Sequence, residues 1–115
     1  MHSIWSFLLA LCLTDTGEIR GRVVNCRNRT VSKLEVCYQT YTGTGIAQAE
    51  TMCTLTNSQG EFVFDQLAPG TYGVFISSDR WRTVRYRDIK IESDKTVGLF
   101  FKLTPAPNQE SWCSQ

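Results

Sequence analysis

Between Thr56 and Tyr72 the chain reads TNSQGEFVFDQLAPGTY, and its apolar and polar positions fall into a regular order. Phe62 and Phe64 alternate with Glu61, Val63 and Asp65, the period-two pattern of a strand with one buried face. Asn57 to Gly60 supply small polar residues and a glycine, which suit a tight turn that needs positive φ. Pro69-Gly70 breaks the chain before Tyr72, Val74 and Ile76 resume the alternation.

The same period extends in both directions. Glu18 to Asn25 places Ile19, Gly21 and Val23 on one face and Arg20 and Arg22 on the other, a first strand. Leu34, Val36 and Tyr38 mark a second, with Glu35, Cys37 and Gln39 pointing the opposite way. A Thr-rich third strand is predicted over Ala49–Thr56, a fourth over Glu61–Leu67 and a fifth over Thr71–Ser77. Thr83–Glu92 makes a sixth and Thr96–Leu103 a seventh. No stretch of helical period and adequate length follows residue 14. Seven short strands at this spacing predict an all-β sandwich or barrel.

The sixth strand contains a conflict. Ile89 and Ile91 share parity with Arg85 and Arg87, so one phase cannot bury the isoleucines and expose both arginines. A bulge or break near Arg87-Asp88 resolves it.

A chain of 115 residues suits one domain with one core, and 42% apolar with 20% charged residues is a globular composition. The net charge of +1 gives no global pull toward nucleic acid or an anionic membrane, so charge would act through local clusters. Ile4–Leu13 (IWSFLLALCL) is the longest apolar run, and its ten residues fall short of the roughly 20 a helix needs to span a bilayer. Residues 1–13 match a secretory signal peptide, although no Lys or Arg precedes the run; the alternative is an extra apolar element on the sandwich, or an artefact of start-codon choice. A lipoprotein signal is disfavoured because Leu11, before Cys12, is not small. Pro105 and Pro107 end the domain and leave residues 105–115 as a polar tail.

Five cysteines in so short a chain point to an oxidising compartment: secreted, periplasmic or cell-surface. Loss of a leader containing Cys12 leaves Cys26, Cys37, Cys53 and Cys113. Cys37 and Cys53 lie symmetrically about Gly45, in the turn-rich Thr42-Gly43-Thr44-Gly45, so a hairpin there sets the two thiols opposite each other. Facing positions bring β-carbons to about 4.5–5.5 Å, slightly wider than a disulfide prefers. Cys37–Cys53 is the expected bridge, with Cys26–Cys113 as the remaining pair. No two-residue cysteine spacing indicates a zinc or redox site.

Catalytic chemistry has little to work with. The one histidine, His2, precedes the apolar run, so a His base, shuttle or metal ligand has no candidate in the folded domain. Asp65, Asp79, Asp88 and Asp94 are scattered singly and read as solvated turn and edge residues rather than a calcium site. No metal and no cofactor is expected. Asn28-Arg29-Thr30 is a glycosylation sequon that matters only in a eukaryotic secretory pathway.

One cluster looks functional. Arg80, Trp81, Arg82, Arg85, Tyr86 and Arg87 interleave four guanidiniums with two aromatics within RWRTVRYR. Such a strip could bind an anionic polymer, stack on a sugar or grip a protein. The plainer reading is an edge strand protected by charge, with Trp81 folded over the end of the core.

Ile19-x-Gly21-x-Val23, Leu34-x-Val36 and Thr56-Asn57-x-x-Gly60-x-Phe62-x-Phe64-x-x-Leu67-x-Pro69-Gly70-x-Tyr72 together resemble the carboxypeptidase regulatory-like domain. The resemblance covers about Gly17 to Leu103 and implies a seven-stranded antiparallel Greek-key sandwich of transthyretin (prealbumin) type over residues 17–104. Members of that family are usually non-catalytic accessory modules beside peptidases, in receptors and in surface proteins. It departs at Ser78-Asp79-Arg80-Trp81-Arg82, where a small glycine turn is usual. Collagen-adhesin B-type repeats look similar, but the lysine and the Asn or Asp acceptor of their isopeptide crosslink are missing. The resemblance implies a non-enzymatic extracytoplasmic module whose partner is a protein or a cell-surface glycan. No nucleic acid and no transmembrane span are expected. The second function considered is a carbohydrate- or polyanion-binding module using Arg80–Arg87.

Overall fold

The computed structural model describes residues 15–41 and 47–107, with the backbone alone for residues 47–50. Seven strands form: β1 (Gly17–Val24), β2 (Glu35–Tyr41), β3 (Ala47–Leu55), β4 (Glu61–Leu67), β5 (Gly70–Ile76), β6 (Val84–Ile91) and β7 (Thr96–Lys102). They make two sheets, one ordered β4-β1-β7 and the other β3-β2-β5-β6. No α-helix occurs among the described residues. The all-β sandwich expected from the alternation is the observed architecture.

One pairing departs from an all-antiparallel arrangement: β1 and β7 run parallel, in register from Glu18↔Thr96 to Val24↔Lys102. They are the first and last strands, so no hairpin dictates their relative direction. β3 spans Ala47–Leu55 rather than Ala49–Thr56. Thr56 lies just past the strand: its backbone N–H donates to the Leu34 carbonyl and its carbonyl accepts the Lys33 N–H, both at 2.9 Å, while its hydroxyl donates to the Val31 carbonyl at 2.6 Å and accepts the Leu34 N–H at 3.0 Å. The two hydroxyl bonds satisfy a side chain only 3% exposed and tie the β1–β2 connection to the end of β3.

The core lies between the sheets. Ile19, Val23, Phe62, Phe64 and Phe101 come from the three-stranded layer, and Val36, Tyr72, Val74, Ile76, Ile89 and Ile91 from the four-stranded one. Tyr38 stands edge-on to Phe64 at 4.9 Å and to Tyr72 at 5.5 Å between ring centroids. Gly21 sits where a β-carbon would run into the Phe62 ring, so the core needs a residue without one there.

The β3–β4 turn is built as the sequence requires. Gly60 has φ +74° and donates its N–H to the Asn57 carbonyl at 2.9 Å. The Asn57 side-chain oxygen accepts the N–H groups of Gln59 and Glu61, both at 2.9 Å. At the next turn the Tyr72 hydroxyl donates to the Ala68 carbonyl at 2.6 Å, clamping the Pro69-Gly70 corner against the core.

Cys37 and Cys53 face each other across β2 and β3 and form a disulfide, with Cα atoms 4.0 Å apart. The symmetry about Gly45 located this bridge. Residues 42–46 of that hairpin, the apolar run 1–13 and Cys113 lie outside the described residues, so the leader and the Cys26–Cys113 pairing do too.

The conflict in the sixth strand is settled by a bulge. Pairing steps from Tyr72↔Ile89 to Val74↔Tyr86, so Arg87 and Asp88 together oppose one residue of β5. Asp88 takes φ +58°, which an aspartate tolerates better than most residues. Ile89 and Ile91 thereby point inward at 8% and 2% exposure, while Arg85 and Arg87 stay outside.

Candidate functional site

The second half of the candidate strip lies on β6, an edge strand of the four-stranded sheet that pairs with β5 alone among the described residues. Upstream of β6, residues 80–82 run alongside residues 104–106. Ala106 N–H donates to the Arg80 carbonyl and Arg82 N–H to the Thr104 carbonyl, both at 2.9 Å. Between these bonds Trp81 bridges Pro105, itself buried, so the beginning of the tail is fastened to the sandwich.

Trp81 is 5% exposed and belongs to the core cluster. Its ring closes the end of the sandwich and offers no face to a ligand, so its reading as a stacking platform is corrected. The reason is local alternation: with Trp81 turned inward, Arg80 and Arg82 on either side turn out, and both are exposed.

Tyr86 is also committed. Its hydroxyl donates to the Phe100 carbonyl of β7 at 2.6 Å, and its ring lies 4.8 Å from Phe101 between centroids. It closes the seam between the two sheets at the β6/β7 side while remaining 39% exposed.

Arg85 stands over Phe75, with its guanidinium carbon 4.7 Å from the ring centroid. The contact completes a row across the outer face of the sheet: Cys53 opposite Cys37, Cys37 opposite Phe75, Phe75 opposite Arg85. A cation on an exposed ring contributes about 0.5–1 kcal/mol. Beyond the bulge, Lys90 pairs with Thr71 and points to this same outer face.

Arg85 and Arg87 thus share the outer face of β6, Arg80 and Arg82 lie upstream beside the tail, Tyr86 turns to the seam and Trp81 into the core, while Lys90 and Phe75 join Arg85 and Arg87. The clash between Ile89 and Arg87 was the signal for Lys90, because any bulge that buries Ile89 and Ile91 places Lys90 beside the arginines.

Elsewhere the polar groups answer one another. On the outer face of the three-stranded sheet, Arg20 pairs with Glu18 at 2.9 Å, and Thr96 donates its hydroxyl to the same carboxylate at 2.8 Å. These hydrogen bonds, Arg20's first, hold the Glu18 carboxyl below its ordinary value and raise Arg20 in turn. Two open depressions, about 350 and 480 Å³, flank this sheet. Glu18, Asp65 and Asp94 are among the residues lining the first; Leu55, Asn57 and Val63 are among those lining the second; neither reaches the arginine strip. Among the described residues, the metal-type donors that converge are Glu35, Cys37 and Cys53. With both sulfurs bound to each other there is no thiolate to bind a metal. Asn28 of the sequon is exposed in a turn, at φ +63°.

The family model of the carboxypeptidase regulatory-like domain matches residues 18–104. A comparison with curated proteins finds no match. Among solved structures, catechol 1,2-dioxygenase from Acinetobacter superposes with a TM-score of 0.61 at 10% identity, covering 84% of this chain and 54% of the enzyme. The major pilin SpaD of Corynebacterium diphtheriae gives 0.59 at 13%, over 81% of this chain and 31% of the pilin. A Bacteroides uniformis protein provisionally described as carbohydrate binding gives 0.57 at 16%, over 77% of this chain and 41% of that one. The chain therefore spans between about a third and somewhat over half of these proteins, and at such identities the likeness is one of fold.

Proposed function

The chain belongs to the carboxypeptidase regulatory-like domain family, and from that premise we propose that it is a non-enzymatic accessory module working outside the cytoplasm. It engages a protein or a surface glycan through the outer edge of β6. The observation that carries this reading is the contrast in chemistry: cations gather on one exposed edge, while no nucleophile, base and orienting group converge anywhere among the described residues. The Cys37–Cys53 bridge supports an oxidising compartment. The dioxygenase likeness stays at the level of fold, because function resides in sites and not in architecture.

The test uses a panel of neutral glycans, acidic glycans and extracellular proteins displayed on a solid support. Wild type is compared with Arg85→Gln/Arg87→Gln, which keeps the side-chain stems and leaves the core untouched. At least one displayed molecule should retain wild type and lose the double variant by tenfold or more, with thermal midpoints unchanged. Retention that never depends on these two residues would refute the reading.

A further inference from the structure

We propose that the β6 edge recognises a linear anionic polysaccharide, one bearing sulfate or carboxylate groups, by charge and not by ring stacking. The proposal rests on the accessory-module reading and specifies its ligand.

The first observation is where the charge lies. Residues 79–90 hold Arg80, Arg82, Arg85, Arg87 and Lys90 against Asp79 and Asp88, a local balance of 5 − 2 = +3. The whole chain carries +1, so the remaining residues sum to 1 − 3 = −2. A nearly neutral chain thus carries a local positive surplus here, as it also does over residues 25–34 with Arg27, Arg29 and Lys33; what distinguishes residues 79–90 is that Arg85, Arg87 and Lys90 share one face of a single strand. All five cations are exposed, and among the described residues Arg80, Arg85, Arg87 and Lys90 form no ion pair.

The second is how the backbone aims them. Regular alternation through β6 would set Lys90 on the opposite face from Arg85 and Arg87. The bulge at Arg87-Asp88 rotates the strand so that all three project from the outer face. Five residues at a strand's rise give about 16 Å from Arg85 to Lys90, longer than a single sugar and suited to successive groups of an extended polymer.

The third separates ligand classes. Stacking on a neutral sugar or a nucleic-acid base needs an open aromatic face. Trp81 is in the core, Tyr86 is held by Phe100 and Phe101, Phe75 lies beneath the Arg85 guanidinium, and Tyr41, half-buried on the same sheet face, packs over Gly73. Guanidinium and ammonium groups are what the strip presents, and guanidinium forks match the paired oxygens of sulfate and carboxylate.

Titration of the full chain with heparin, a sulfated polysaccharide, tests this, with neutral dextran and a single-stranded oligonucleotide as comparators. Three contacts, each taking about 0.7 from the salt slope, predict a roughly twentyfold loss of affinity between about 50 and 200 mM salt. Arg85→Gln/Arg87→Gln should weaken heparin at least tenfold and flatten that slope. Arg20→Gln/Lys102→Gln, an equal charge change on the three-stranded sheet, should alter it less than twofold. Absent heparin binding, equal loss in the control pair, or dextran or the oligonucleotide binding as tightly as heparin would each overturn the proposal. The displayed panel separates the two failures: another ligand dependent on Arg85 and Arg87 leaves the accessory-module reading standing, and none removes both.

Discussion

The two outward faces of the sandwich use the same residue types to opposite ends. On the three-stranded sheet Arg20 and Arg22 occupy alternate positions of a central strand, flanked by Glu61, Asp65 and Glu18, and Arg20 is held by a carboxylate at 2.9 Å. On the four-stranded sheet Arg85 and Arg87 occupy alternate positions of an edge strand, and across β5 they face Phe75 and Gly73, neither of them an acid. Alternation alone makes the two pairs look alike. Arg20 is neutralised in place by Glu18, two residues before it on the same strand, whereas the residues two before Arg85 and Arg87 are Thr83 and Arg85, and neither is an acid.

This contrast can be broken most severely through the anchor beneath the strip. Trp81→Ala removes a buried indole, and losses of this kind cost about 3–5 kcal/mol. Chemical denaturation should show that loss, with β6 and the tail segment at Pro105 losing amide-exchange protection before β1 and β4. A small stability change would mean that Trp81 does not hold the edge.

The edges of the four-stranded sheet also differ from each other: β3 is fastened covalently to β2, and β6 is not. For a loop of this size the chain-entropy model gives about 3 kcal/mol. Cys37→Ser/Cys53→Ser should lower the denaturation midpoint accordingly while leaving the Arg85 edge intact by amide exchange. An unchanged midpoint would remove the bridge from the account of stability and weaken the argument for an oxidising compartment.

A finer probe is Tyr86→Phe, which deletes one hydroxyl and its bond to the Phe100 carbonyl. The cost should be about 1 kcal/mol, and heparin affinity should stay within twofold, because the tyrosine closes the seam and does not touch ligand. A large drop in binding at unchanged stability would show that Tyr86 is part of the strip.

The smallest effect belongs to the neutralised face. Glu18 is held below its ordinary value of 4.5, so its contribution is present above that value in the folded protein and is lost as pH falls through the lowered one. Wild type should therefore lose slightly more stability than Glu18→Gln on acidification below about pH 4.5. Parallel acid titrations of thermal midpoints check this, and identical curves would show that solvent screens the pair completely.

Much of this molecule follows from local chemistry. Period-two alternation defined seven strands, Asn57 and Gly60 defined a turn, and the spacing about Gly45 set Cys37 against Cys53, because each depends on residues close in sequence or joined by one hairpin. The inward fate of Trp81 was open, since an exposed and a buried tryptophan look identical until Pro105 is known to pack against it. The parity clash in the sixth strand already called for a bulge near Arg87-Asp88, and burying Ile89 and Ile91 then leaves Lys90 on the face of Arg85 and Arg87. The parallel meeting of β1 and β7, and the Thr96 hydroxyl that joins Arg20 on the Glu18 carboxylate, depend on which distant strands become neighbours. Tertiary structure alone decides that, because closing the sandwich brings together residues whose local patterns carry no information about one another.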